Sequence, residues 1–331
     1  MTTSPITPTI PLDAQGAFHG FLRLPHSRDD SAWGAVMVPI SVIAGGDGPT
    51  ALLTAGNHGD EYEGPIALQE LAATLDPATV NGRIIILPMM NLPAFSAGRR
   101  CSPIDGGNMN RSFPGRPDGT VTQKIAHYIA TELVPLSDIV LDYHSGGRTL
   151  DFLPFAAAHI LPDKRQEAAC MAAMTAFNAP YSMKMLEIDN VGMFDTEVES
   201  QGKVFVTTEL GGGGTSTAAS VAVARKGARN LLIHAGILNG TCETAPSVTL
   251  DMPDGRCFVF SEHAGLLEPL VDLGASVEAG QPIARLWPAD RSGAAPRQLA
   301  AGLSGILTAR HFPGLVGMGD CVAVVAVPVT A

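Results

Sequence analysis

The chain of 331 residues carries 32 acidic against 21 basic side chains, a formal net charge of -11 at pH 7. That balance argues against nucleic acid or an anionic membrane as partner, but local arginines could still bind an anionic small molecule. With 46% hydrophobic residues the chain is long enough for two domains and a sizeable core. No stretch of roughly 18 or more consecutive apolar residues reads as a membrane span. The first residues, Met1-Thr2-Thr3-Ser4-Pro5, lack the basic and apolar regions of a secretion signal. The five cysteines (Cys101, Cys170, Cys242, Cys257 and Cys321) are scattered and form no C-x-x-C pair, which fits reduced thiols in a cytoplasmic protein.

Residues 1–33, with Pro5, Pro8, Pro11 and Pro25, read as an arm with a short strand. Residues 35–43 read as a strand, placed at an edge by Pro39. After a glycine turn, residues 51–55 form a short apolar run that reads as a buried strand. It leads into Gly56-Asn57-His58-Gly59-Asp60-Glu61-Tyr62-Glu63-Gly64, and residues 65–75 then show helical spacing. Residues 83–88 are a second buried strand. Residues 89–118 are long, glycine-rich and mostly aperiodic, the kind of segment that carries function inside a compact domain. A helix is expected over 121–133. A third buried strand, 138–143, ends in His144-Ser145-Gly146-Gly147. Residues 164–178 read as a helix, 203–208 as a fourth strand ending in Glu209, and 218–238 as a long helix beyond the glycine run 211–214. Strands alternating with helices predict an α/β fold, a mixed, mainly parallel sheet with helices on both faces.

After Asn239-Gly240 the helical periodicity stops and short β-like pieces with glycine turns take over. A boundary near 245 divides the chain into an α/β domain with an N-terminal arm, 1–245, and a small all-β sandwich or barrel, 246–331. The second part holds a weak repeat: Gly265 to Gly274 and Gly305 to Gly314 are each nine apart, followed by Val277 and Gly280 or by Val316 and Gly319. The pattern is similar to half-motifs of lipoyl or biotinyl carrier domains. Residues 251–331 contain no lysine to carry such a group, so a structural or capping role is expected.

Each of three apolar strands is followed at once by residues able to do chemistry: His58 and Glu61, then His144, then Glu209. In a parallel sheet those carboxyl ends share one edge, where residues far apart in sequence converge. Two histidines and a carboxylate make a catalytic zinc set with a position left for water, one ion per chain. Glu209 is then placed to move protons. Glu63 is the nearest rival to Glu61, and the H-x-x-E spacing is what favours Glu61. In the long loop, adjacent Asn110 and Arg111 suit a substrate carboxylate. Asp142, two residues before His144, is a candidate to support it from behind.

The ordered motifs G-N-H-G-D-E, N-R-S-F-P-G, D-Y-H-S-G-G and T-E-L-G-G-G-G resemble the succinylglutamate desuccinylase/aspartoacylase family of the zinc carboxypeptidase-like superfamily, over residues 35–240. The resemblance implies His58, Glu61 and His144 as zinc ligands, Glu209 as general base and acid, and Asn110 with Arg111 on the substrate carboxylate. It matches the family's loop arginine to Arg100 rather than Arg99. It also implies an N-acyl amino acid as the small-molecule partner. Within the family the whole chain, including residues 20–34, is similar to the branch acting on Nα-acetyl-L-2,4-diaminobutyrate in ectoine breakdown. N-acetylaspartate or N-succinylglutamate deacylation, carboxypeptidase action, and a non-catalytic zinc scaffold are the alternatives. The branch substrate carries an amine that calls for an acid, and Glu187, Asp189, Asp195 and Glu197 all stand before the fourth strand. A homo-oligomer is compatible with the sequence, which specifies no oligomeric state.

Overall fold

A computed structural model of the chain describes residues 4–329. Its spine is four parallel strands side by side: Gly82–Leu87, Thr50–Thr54, Ile139–His144 and Val204–Glu209. Ala51, Leu53, Ile84, Ile86, Leu141 and Val206 pack to one side with the helices Glu63–Thr74, Lys164–Phe177 and Ala218–His234. Leu52, Ile85, Leu87, Val140 and Phe205 pack to the other, with Val121–Tyr128, its π-helical continuation Ile129–Leu133, and Phe194–Ser200. Successive side chains of a strand alternate faces, so a strand covered on both sides is apolar over most of its length. That is why residues 51–53, 84–87, 139–141 and 204–206 read as apolar runs, with the buried polar Thr54, Asp142, Thr207 and Thr208 toward the carboxyl ends.

One flank of the sheet is antiparallel. Gly82–Leu87 pairs with Ala35–Gly45, and Ala35–Gly45 pairs with Gly16–Pro25. The N-terminal arm is therefore mostly a 10-residue strand, longer than its prolines suggested. Ala35–Gly45 is interior, not an edge. Pro39 is tolerated because pairing to Gly82–Leu87 covers only Ser41–Gly45. At Pro39 the strand has a neighbour, Phe21, on one side alone.

On the other flank Phe155–His159 runs antiparallel to Val204–Glu209, and Tyr181–Met185 follows parallel to it. Val248–Asp251 and Cys321–Pro328 then continue the same sheet beyond residue 245. His159 and His311 are each the last residue of a strand. The long segment 89–118 is not wholly irregular. It holds the helix Leu92–Ala97, started by Asn91, whose side chain accepts from the Ala94 N–H, and stopped by left-handed Gly98. Pro93 and the helix's shortness hide it from any periodicity. The long helix ends at His234, short of 238, and Gly236 at φ +72 takes the chain out of it. Among the described residues no helix is long and apolar enough to cross a membrane.

The C-terminal strands form two facing layers with Val277, Ile283, Leu307 and Val325 between them. The repeated units interleave. Gly265–Pro269 pairs with Leu315–Val316, and Gly305–His311 pairs with Ser276–Val277, so the first strand of each unit takes the second strand of the other. Gly305–His311 also pairs with Leu150–Phe152, and Arg310 Nη2 lies 3.1 Å from Asp151 Oδ2. The β region thereby braces the segment that directly follows His144.

Candidate active site

His58 and Glu61 sit in the loop between Thr50–Thr54 and Glu63–Thr74, at the carboxyl edge of the sheet. Two of the loop's glycines are there for closeness. A Cβ on Gly59 would lie 2.0 Å from the Ala94 carbonyl carbon, and one on Gly64 would lie 2.2 Å from Tyr143 Cβ. The Gly59 N–H donates to the Arg99 carbonyl at 2.9 Å, and Asn57 Nδ2 donates to Asp142 Oδ2 at 3.2 Å. The loop is thus pressed onto the strand that ends in His144.

His58 and Glu61 are buried and His144 nearly so, and a ligand atom from each lies within 4.8 Å of the others. His58 Nδ1 is 2.7 Å from Glu61 Oε1, and His144 Nδ1 is 3.1 Å from Glu61 Oε2. The far ring nitrogens point outward, His58 Nε2 to Asn108 Oδ1 at 3.2 Å and His144 Nε2 to Asp142 Oδ2 at 2.9 Å. Asn108 Oδ1 is fixed as the acceptor because the Asn110 N–H also donates to it. Both Nε2 atoms therefore carry protons, and both Nδ1 atoms face the centre. Asp142 is buried and accepts from Thr54 Oγ1 as well.

The charges suit a cation. Burial raises the Glu61 carboxyl, but the neighbouring His58 and His144 outweigh it and hold Glu61 well below the usual carboxylate range. Burial pushes His58 down, and the Arg100 charge adds to that. At His144 burial is outweighed by Asp142 and Glu61, which favour a second proton between Nδ1 and Glu61. That proton's position is the one a divalent cation would take. Two imidazole nitrogens with committed partners and one carboxylate are the donor set of a catalytic zinc site.

Glu209 ends its strand directly opposite His144 in register. Its Oε2 is shut off from solvent and has no hydrogen-bond partner among the described residues. Burial, and then the Glu61 charge, push its carboxyl well above the usual range. Such a group can take up and return a proton.

Arg100 Nη1 lies 3.3 Å from His58 Nδ1 and 3.7 Å from Glu61 Oε1, whereas Arg99 lies outside the pocket and gives its carbonyl to the loop. Asn110 Oδ1 accepts from the Phe194 N–H at 2.9 Å, which leaves its Nδ2 as the donor on the pocket side. Arg111 Nη1 donates to the Asn110 carbonyl at 2.7 Å. One pocket is lined by His58, Glu61, Arg100, Asn110, Arg111, His144 and Glu209, the full set expected from the sequence. Of the four acids considered for an amine, Glu187 and Asp195 line it, and Asp189 and Glu197 do not.

The neighbouring acids turn elsewhere. Asp60 Oδ2 accepts from the Arg148 N–H at 2.8 Å, and Glu63 Oε1 accepts from Ser220 Oγ at 3.1 Å. Two contributors were missed in the sequence. Asn108 orients His58, and the Ser145 N–H donates to Glu61 Oε2 at 3.1 Å. Asn108 stands in the same stretch as Asn110, but only proximity in space reveals its partner, and a backbone donor leaves no residue-type signal.

The succinylglutamate desuccinylase/aspartoacylase catalytic-domain family matches residues 47–235, a span that contains every site residue above. The chain belongs to this family. As a succinylglutamate desuccinylase/aspartoacylase family member it is a hydrolase of the deacylase kind. Over 325 residues it is 57% identical to the N-alpha-acetyl-L-2,4-diaminobutyric acid deacetylase of Halomonas elongata, covering 98% of this chain and 95% of that protein. It is similar in structure to the product-bound ectoine utilization protein EutE (DoeB) of Ruegeria pomeroyi, with a TM-score of 0.97, 64% identity, and 99% and 100% of the two chains covered. A succinylglutamate desuccinylase/aspartoacylase of Rhodobacter sphaeroides matches with a TM-score of 0.94 and 38% identity, over 98% and 100% of the two chains. The likeness to both structures includes the C-terminal strands, beyond the catalytic-domain span.

Proposed function

We propose that this family member removes the acetyl group from Nα-acetyl-L-2,4-diaminobutyrate, with one zinc ion per chain held by His58, Glu61 and His144. The observation that carries this reading is the convergence of those three side chains beside a solvent-shielded, unpaired Glu209 carboxyl oxygen. The Halomonas elongata relative supports the choice of substrate. All five cysteines are free, which suits an enzyme of the cytoplasm.

Bound zinc supplies Lewis-acid polarisation of the acyl carbonyl and makes the attacking water more acidic. The chain's own residues do the rest. Asn110 Nδ2 and the Arg111 guanidinium hold the α-carboxylate and so fix the amide in the pocket. The Arg100 guanidinium donates to the acyl oxygen as negative charge develops on it. Glu209 takes a proton from the water as the oxygen–carbon bond forms. It returns that proton to the amide nitrogen as the carbon–nitrogen bond breaks, releasing acetate and the diamino acid. Leu150 and Phe152, braced by the C-terminal strands, exclude water from one wall of the pocket.

The test is a hydrolysis panel of Nα-acetyl-L-2,4-diaminobutyrate, N-acetylaspartate, N-succinylglutamate and short peptides, with and without chelator. The acetylated diamino acid is expected to be cleaved fastest, with activity lost to chelator and restored by zinc. Chelator-resistant cleavage, or a faster rate on any other substrate, would overturn the assignment.

Asp142 carries a further expectation. Asp142→Asn keeps the shape but removes the charge behind His144 Nε2, and should weaken zinc binding about 10–100-fold. Competition against a zinc-binding dye measures this, and an unchanged affinity would show that Asp142 serves only the strand–loop junction.

A further inference from the structure

We propose that Glu187 and Asp195, backed by His159, form an alkylammonium subsite that binds the distal amine of the substrate, a proposal that rests on the diaminobutyrate reading above. Both carboxylates line the same pocket as the zinc-facing side chains. Ligand atoms of His159, Glu187 and Asp195 lie within 4.8 Å of one another. Asp195 is 6% exposed and His159 7%. His159 Nδ1 is 2.8 Å from Glu199 Oε1. Its Nε2 faces Glu187 Oε1 at 3.4 Å, an ion-pair distance without an aligned hydrogen bond, so this buried nitrogen has no hydrogen-bond partner among the described residues.

The subsite is built into the part of the fold that holds the carboxylate end. Asp195 directly follows Phe194, whose N–H fixes Asn110 Oδ1. The Phe113 N–H donates to the Gly192 carbonyl at 3.0 Å, and a Cβ on Gly192 would lie 2.6 Å from the Arg111 carbonyl oxygen. The segment bearing the two acids is thereby clamped onto the Asn110-Arg111 loop. A diamino acid, whose carboxylate and ammonium are separated by a short carbon chain, can engage both groups at once. At the other end, the Glu187 charge is among those acting on Glu209, so the acids also stand close to the reacting centre.

The charge of the cluster selects a cation. At His159 burial is outweighed by Glu187 and Glu199, which hold its pKa up at about 10. Burial, despite His159, pushes Asp195 up to about 6, which still leaves it ionised at neutral pH. Three carboxylates therefore surround one imidazolium, and net negative charge remains for a ligand. An ammonium, with several N–H donors and one compact charge, satisfies oxygens that an acidic side chain such as that of N-acetylaspartate would meet as like charges.

The experiment compares Nα-acetyl-L-2,4-diaminobutyrate with Nα-acetyl-L-norvaline, in which a methyl replaces the ammonium, on zinc-loaded wild type, Glu187→Gln and Asp195→Asn. Wild type should favour the ammonium substrate in kcat/KM by at least about a hundredfold, because carboxylates built to meet N–H donors are left unpaired by a methyl. Each variant should cut that ratio about tenfold or more, and the double variant should bring it toward one. Reading the ratio removes any general loss of activity. If Asp195→Asn fails to fold, Glu187→Gln, at a partly exposed position, carries the test alone. An unchanged ratio in the variants overturns the subsite, as does a second zinc equivalent in wild type that they lose. A wild type that ignores the ammonium substrate and cleaves N-acetylaspartate overturns the diaminobutyrate reading and the subsite with it. A wild type that prefers the ammonium substrate, with variants that keep that preference, overturns the subsite alone.

Discussion

Glu209→Gln is expected to retain one zinc per chain and to lose turnover by about 10²–10⁴-fold, the contribution of a positioned general acid–base. The side chain lies beside the proposed ligand set without belonging to it: Glu61 and the two histidines are paired with each other and with Asn108 and Asp142, not with Glu209. Its Oε2 has no partner to lose, so the isosteric amide should sit in the same place without disturbing its neighbours. An amide can accept a hydrogen bond from water but cannot carry the proton onward to the amine. The loss should therefore fall on kcat, with KM little changed, because Asn110 and Arg111 still hold the carboxylate. Metal content by mass spectrometry and steady-state kinetics on the same sample decide the matter. Full turnover with full metal would remove Glu209 from the proton path.

The four parallel strands were legible because burial on both faces favours consecutive apolar residues, as at Ala51, Leu52 and Leu53. The N-terminal strand was not, because Gly16–Pro25 buries only alternate residues near one end and leaves Phe21 exposed. Pro11 ahead of it and Pro25 as its last residue also read against a long strand. The helix Leu92–Ala97 is too short for a period, and its signal is the Asn91 cap and Gly98 stop. The interleaving of the C-terminal units could not be read from a repeat, since the same glycine spacing serves units that pair internally or exchange strands.

The set of side chains that the fold gathers into one pocket was legible in the sequence, for a physical reason. Chemistry needs particular residue types at strand ends: His144 and Glu209 are the last residues of their strands, and His58 stands in the loop four residues beyond Thr54. What supports those residues leaves weaker traces. Asn108 and the Ser145 N–H act through distances between segments far apart in sequence. The choice among four acids also needed three dimensions, because only Glu187 and Asp195 turn into the pocket.

The choice between Glu61 and Glu63 gives the second large expected effect. Spacing alone separated them in the sequence; in space, Glu61 bridges the two Nδ1 atoms while Glu63 is bound to Ser220 of the long helix. Glu61→Ala removes the one anionic donor between the histidines and leaves the Ser145 N–H without its acceptor. Two neutral imidazoles hold zinc weakly, so the variant should come off a desalting column with far less than one equivalent and with activity down by about 10³-fold or more. A readout independent of catalysis is the thermal transition. At a thousandfold excess over its Kd, zinc should stabilise wild type by about 4 kcal/mol, through binding to the folded chain alone. In Glu61→Ala that shift should vanish. Glu63→Ala should keep the zinc and the zinc-dependent shift, while losing stability from its broken contact to Ser220. If Glu63→Ala were the variant that shed zinc and Glu61→Ala kept it, the ligand set would have to be redrawn around the other acid.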